Sequence, residues 1–122
     1  MRITTWNINS VRLRIGLALK LLDQSRPDVL CLQETKCPDE QFPFEAFRDI
    51  GYKYIAVNGM KAYNGVALIS RVPFESELAL DWTERSDCRH ISGVFPGDIE
   101  IHNFYVPAGG DEPDIERNDK FA

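Results

Sequence analysis

A chain of 122 residues is one ordinary domain, too short for two and long enough to take roughly two-thirds of its unfolded surface out of water. Hydrophobic residues at 43% and charged residues at 27% exclude a largely disordered chain. The net charge of −5 argues against simple electrostatic wrapping of a polyanion, although residues 111–122 hold −3 of it and the remainder groups its bases at Arg12/Arg14 and Arg85/Arg89, which leaves room for local phosphate binding with a divalent cation.

In chain order, Arg2–Ile8 is β-rich, and Asn9-Ser10 supplies an N-cap for a helix from Val11 to Gln24 on which Leu13, Leu17 and Leu21 recur at helical spacing. Pro27 disfavours helix at Arg26 and ends the segment. Val29-Leu30-Cys31-Leu32 is a short continuous apolar run, as in a strand covered on both faces, which makes a β-α-β opening with parallel strands. After Pro38, the spacing of Phe44, Phe47 and Ile50 predicts a short helix closed by Gly51. Lys53–Val57 and Val66–Ser70 read as strands around the turn-forming Asn58-Gly59 and Asn64-Gly65. Phe74–Leu80 and His90–Phe95 read as further strands, and Pro96-Gly97-Asp98 turns the chain into a last one, Ile99–Val106. Beyond Pro107 the composition becomes that of a surface loop, and Arg117–Ala122 that of the first turn of a helix.

No apolar run approaches the ~20 residues of a membrane span, and polar Asn7, Asn9 and Ser10 fall where a secretory h-region would lie. Cys31, Cys37 and Cys88 are odd in number and lack C-x-x-C spacing, which argues for reduced thiols and a cytoplasmic setting. His90 and His102 flank the Pro96-Gly97-Asp98 turn and read as a cross-strand structural pair, with no third metal ligand placed beside them.

Polar residues gather where buried strands emerge: Trp6-Asn7-Ile8-Asn9, Leu32-Gln33-Glu34-Thr35-Lys36 and Asn103-Phe104-Tyr105-Val106-Pro107. Ligand sites of open α/β structures lie beyond the carboxyl ends of strands. A carboxylate and an amide there are hard oxygen donors that suit Mg²⁺, which binds few protein groups and keeps its waters.

The blocks Trp6-Asn7-Ile8-Asn9-Ser10-Val11-Arg12, Leu32-Gln33-Glu34-Thr35-Lys36, Tyr63 to Arg71 and Tyr105-Val106-Pro107 occur in an order and spacing that resembles the exodeoxyribonuclease III/AP endonuclease family of the exonuclease–endonuclease–phosphatase superfamily. The resemblance covers the whole chain. It implies a DNase I-like, four-layer α/β sandwich, of which residues 1–122 are the N-terminal half: one mixed sheet with flanking helices, the second half absent. It implies Glu34 as principal metal ligand with Asn7 beside it, Tyr105 at the scissile phosphate, and Asn9, Arg12 and Tyr63 on the DNA. The implied activity is Mg²⁺-dependent hydrolysis, with Mn²⁺ as a substitute, of duplex DNA at abasic sites and 3′ ends, as in base excision repair. Two motifs of the resemblance are missing: Gly-Asp-x-Asn, which supplies a water-activating aspartate, and a late Ser-Asp-His. Gly97-Asp98-Ile99-Glu100 and Ser86-Asp87-Cys88 do not replace them. Ala108 stands where many relatives carry an amide. The fragment alone is therefore expected to be inactive. Two alternatives stand beside this reading: a phosphatase or phosphodiesterase of lipid or inositol phosphates, and a non-catalytic half-protein. A half-fold would also leave an uncovered sheet face, with Leu30, Leu32, Val66, Leu68 and Ile101 as candidates, and so self-associate.

Overall fold

The computed structural model describes residues 1–77 and 88–106. Strand β1 (Ile3–Asn7) leads through helix α1 (Ile15–Ser25) to β2 (Val29–Gln33). One turn of 3₁₀ helix (Asp39–Gln41) and the short helix α2 (Phe44–Arg48) precede the antiparallel pair β3 (Tyr54–Asn58) and β4 (Val66–Ser70). Then come β5 (Glu75–Glu77), β6 (His90–Phe95) and β7 (Ile99–Phe104). The strands form two sheets: a mixed one in the order β1-β2-β4-β3, with β1 and β2 parallel, and an antiparallel one in the order β5-β6-β7.

The β-α-β opening and the order of elements are as the sequence predicts, and β4 and β6 fall on the expected residues. The segments beyond Glu77 and beyond Val106, including the end of the Phe74–Leu80 strand and the Arg117–Ala122 helix, lie outside the described residues. Helix α1 departs from expectation in two ways. It begins at Ile15, because Asn9 and Ser10 adopt left-handed backbone (φ 50° and 87°) and residues 11–14 form turns; Ser10 Oγ accepts from the Leu13 N–H at 3.3 Å rather than capping the helix. Its buried residues are Ala18 and Leu22, whereas Leu13 is 74% and Leu17 58% exposed. The Leu13/Leu17/Leu21 stripe therefore runs along the helix flank, where Leu17 and Leu21 border an open groove with Trp6. Its other end is as read: Arg26 turns left-handed (φ 46°) just before Pro27.

Strand β2 is covered on both faces, and its alternating side chains enter two different cores. Leu30 and Leu32 join Ala67 and Ile69 against Ala18 and Leu22 of α1 and Phe47 of α2. Val29 and Cys31 join Val66 and Leu68 against Ile91, Phe95 and Ile101 of the second sheet. The expectation of an uncovered sheet face is thus corrected. The chain holds enough of the second sheet to cover the first, and the five candidates divide between the two cores. Gly93 on β6 leaves room for the Phe74 ring, which packs into this core and would lie 2.6 Å from an added Cβ. Strands β1 and β7 end their sheets on the same side of the sandwich and flank a groove lined by Ile3, Thr5, Ile101 and Phe104. Among the described residues, no helix is long and apolar enough to cross a membrane.

Candidate active site

Three sequence blocks meet beyond the carboxyl ends of β1 and β2, and they meet through backbone. The Ser10 and Val11 N–H groups donate to the carbonyls of Glu34 and Thr35 (2.8 and 3.0 Å). On the other side, the Thr35 and Lys36 N–H groups donate to the carbonyls of Gly65 and Asn64 (3.1 and 2.8 Å). These bonds hold residues off the usual backbone regions: Asn9, Ser10, Glu34, Lys36 and Asn64 all have φ between 47° and 87°. Such conformations cost about 1–3 kcal/mol each and persist where surrounding structure over-determines them. Gly65 (φ 92°) is required twice over, since a Cβ there would lie 2.1 Å from Thr35 Oγ1.

Glu34 thus leaves the end of β2 on a loop braced from both sides. In-register pairing of β1 with β2 sets Asn7 opposite Gln33, one residue from Glu34 on the neighbouring strand. The fourth block arrives from the second sheet: the Tyr105 N–H donates to the Arg89 carbonyl (2.7 Å), and the Tyr105 hydroxyl donates to Glu34 Oε1 at 3.2 Å. Burial raises the Tyr105 phenol above its ordinary pKa, and the Glu34 carboxylate adds to the shift while the Arg89 guanidinium opposes it. The phenol therefore stays protonated at neutral pH and acts as a donor.

Glu34 and Tyr105 are brought together, and Asn7 ends the neighbouring strand opposite Gln33; Asn9, Arg12 and Tyr63 make their contacts elsewhere. Asn9 is exposed and its carbonyl accepts from Arg14 Nη1. Arg12 is exposed and donates through Nη1 to Gln41 Oε1 of the 3₁₀ turn. Tyr63 is 68% exposed on the loop before Asn64. Gln33, Thr35 and Gly65 also shape the site, each from within a block that the sequence marks out only as a whole. A polar residue at an inward-facing strand position, as at Asn103, was the available signal. The histidine pair forms as expected, with His90 Nε2 and His102 Nδ1 2.9 Å apart and Glu100 Oε1 2.9 Å from His102 Nε2. Among the described residues, no group of three or more His, Cys, Asp or Glu is placed to hold a metal.

The donor set at Glu34 nevertheless suits a small hard cation. A carboxylate and a neighbouring amide oxygen are the chemistry of a Mg²⁺ site that keeps most of its waters. No lysine or arginine among the described residues neutralises Glu34 through an ion pair.

This architecture, a helix-backed mixed sheet against an antiparallel sheet with a carboxylate and a phenol meeting at the strand ends, is that of a DNase I-like α/β sandwich. Residues 4–120 match the model of the Endonuclease/Exonuclease/phosphatase family, and the chain belongs to that family. It is 37% identical over 125 residues to the exodeoxyribonuclease III of Haemophilus influenzae, covering 88% of this chain and 46% of that protein. Among solved structures it is similar to an AP endonuclease from Archaeoglobus fulgidus (TM-score 0.81, 37% identity, 89% of this chain and 42% of that one). It is also similar to the 3′ phosphatase NExo from Neisseria bound to product DNA hairpin (TM-score 0.85, 32% identity, 99% and 48%). The chain therefore spans less than half the length of each of these relatives.

Proposed function

We propose that this chain carries the cation- and phosphate-binding half of a DNA-repair phosphodiesterase acting on abasic sites and 3′ ends of duplex DNA with Mg²⁺, or Mn²⁺ in its place. The observation that carries the proposal is the meeting of Glu34 and Tyr105, 3.2 Å apart, from two different sheets and directly beyond the ends of β2 and β7. The names of the relatives support it, an exodeoxyribonuclease III and an AP endonuclease among them, and so does the product DNA hairpin on the Neisseria 3′ phosphatase.

Glu34 would hold the cation through its carboxylate, with the Asn7 amide oxygen beside it. When bound, the cation supplies a Lewis acid that draws charge from phosphate oxygens and from the leaving oxyanion. Tyr105, kept protonated by burial and by Glu34, offers a neutral hydroxyl donor to a phosphoryl oxygen without adding negative charge. The bracing of the Glu34 loop by Ser10, Val11, Asn64 and Gly65 fixes the carboxylate before any ligand arrives, so little ordering remains to be done on binding. The aspartate of Gly-Asp-x-Asn and the histidine of Ser-Asp-His are not in the sequence. Positioned acid–base groups contribute typically 10²–10⁴-fold, so these residues by themselves are expected to cleave nothing above background. Cys31 and Cys37 are buried thiols outside any disulfide, in keeping with a cytoplasmic setting as part of the same proposal.

Titration of the chain with Mn²⁺ tests the reading, after circular dichroism has shown that each variant folds. Glu34→Gln should abolish binding, and Asn7→Ala should weaken it less, because water replaces a neutral ligand. Unchanged Mn²⁺ affinity in folded Glu34→Gln would sink the assignment. Incubation with an abasic duplex should show only background hydrolysis, and turnover on an inositol phosphate would favour the superfamily's other branch.

A further inference from the structure

Between the two sheets, at the end nearest the site, a buried amide side chain bonds directly to the backbone of the opposite sheet. Asn103 is 3% exposed and faces inward from β7. Its Nδ2 donates to the carbonyls of Leu32 and Ala67, both at 2.9 Å, which are register partners on β2 and β4. Its Oδ1 accepts from Gln33 Nε2 at 2.7 Å, and that amide also donates to Thr5 Oγ1 of β1 at 2.8 Å. One residue of the second sheet is therefore tied directly to β2 and β4 of the first and, through Gln33, to β1. Most of the packing around it, Val29, Cys31, Val66, Leu68, Ile91, Phe95 and Ile101, is apolar, and at the β3 edge Asn58 Nδ2 donates to the His90 carbonyl of β6 at 2.9 Å. Apolar contact is non-directional and tolerates sliding, whereas hydrogen bonds weaken steeply with misalignment.

The clasp sits next to the chemistry on both strands. Gln33 immediately precedes Glu34, and Asn103 lies two residues before Tyr105, on the same side of an extended segment. We propose that Asn103 is a positioning residue whose amide, through Leu32, Ala67 and Gln33, fixes the relative register of the two sheets so that the Tyr105 hydroxyl meets the Glu34 carboxylate. This rests on the reading that Glu34 and Tyr105 form the site. The chemistry demanded of residue 103 is two donors and an acceptor on a short planar group, which asparagine supplies. Aspartate offers no donor to the two carbonyls, and leucine fills the space with none of the bonds.

The sequence holds four tyrosines, Tyr52, Tyr54, Tyr63 and Tyr105, so labelling with 3-fluorotyrosine gives a four-line fluorine NMR spectrum, assigned by Tyr→Phe variants. In the parent chain at slightly acidic pH, Glu34→Gln should move the Tyr105 line and leave Tyr52, deep in the helix-side core, in place. In Asn103→Leu and Asn103→Asp, Glu34→Gln should no longer move the Tyr105 line beyond the spread of the distant tyrosines, while Tyr52 keeps its position. Should either variant fail to fold, Gln33→Met breaks the clasp at the partner and is expected to reduce the same response. A merely structural Asn103 would lower the melting temperature and leave the Tyr105 response to Glu34→Gln intact, which overturns the proposal. A parent chain with no response overturns it as well. Mn²⁺ binding is scored separately: lost coupling in a chain that never binds Mn²⁺ would keep the positioning role and remove the metal reading.

Discussion

The two faces of β2 have opposite characters. Toward the helices, Leu30 and Leu32 enter a core of fully buried side chains that includes Phe47 and Tyr52. Toward the second sheet, Val29 and Cys31 continue that apolar packing for two positions, and the third, Gln33, becomes an amide bonded to Asn103. The two faces also differ in what they govern. The helix side holds the mixed sheet together, while the sheet–sheet side decides where a phenol from one sheet falls relative to a carboxylate from the other. Packing alone suffices for the first task. The second needs direction, and only polar groups supply it.

The largest expected effect comes from breaking the dry face. Leu32→Ala removes a fully buried side chain and should cost about 2–5 kcal/mol in urea unfolding. If the two faces act separately, the fluorine response of Tyr105 to Glu34→Gln should survive in the fraction that stays folded.

Gly65→Ala reverses that pattern. Its Cβ would collide with Thr35 and its φ of 92° strains any side chain, so a loss of about 1–3 kcal/mol is expected. The displaced atoms belong to the Glu34 loop, however, so Mn²⁺ affinity should fall further than stability does. Isothermal titration beside urea unfolding separates the two losses.

Alkaline pH probes the sheet–sheet face. Burial pushes the Cys31 thiol from 9.0 up to about 11. Between those values the unfolded chain releases a proton that the folded chain keeps. Stability is therefore complete below pH 9 and declines as pH rises toward 11, by up to about 1.4 kcal/mol per pH unit. Cys31→Ala should start less stable at neutral pH and show a shallower alkaline decline.

The smallest effect is expected at the opposite end of β2 from Glu34. Asp28 accepts from the Arg2 N–H at 2.7 Å and pairs with Arg71 at 3.0 Å, and these contacts hold its carboxyl below the ordinary range. Its contribution is present at neutral pH and is lost as pH falls through the acid range, and at a solvated site it is small. Asp28→Asn should therefore change the acid limb of the stability curve slightly and leave Mn²⁺ binding unchanged, since this carboxylate is already paired with Arg71 and lies at the far end of β2.

Much of this arrangement was legible in the sequence because it is local. The apolar run at Val29–Leu32 required a doubly covered strand, and the polar residues after it marked a strand end. Helix α1 was harder, because its two apolar stripes share one period. Which of them meets the sheet depends on where the chain leaves β1, and that is set by the left-handed Asn9 and Ser10 bonded to a loop 24 residues further on. The motifs carried Glu34, Asn7 and Tyr105. They did not carry the clasp, because Gln33 and Asn103 are 70 residues apart and only the register between two sheets brings them together.

Strand β1 ends its sheet among the described residues, with the groove bordered by Leu17 and Leu21 on one face and the groove beneath β7 on the other. Its sequence, Ile3-Thr4-Thr5-Trp6-Asn7, has no charge and no proline, two of the devices by which exposed sheet edges discourage pairing with another chain. A strand of this kind is a template for a second extended segment, which would meet Trp6, Leu17 and Leu21 on one face and Ile3 and Phe104 on the other. For this chain, the hazard of cross-β aggregation and the opportunity for strand addition are therefore one property of five residues, and a single lysine at Thr4 would suppress both.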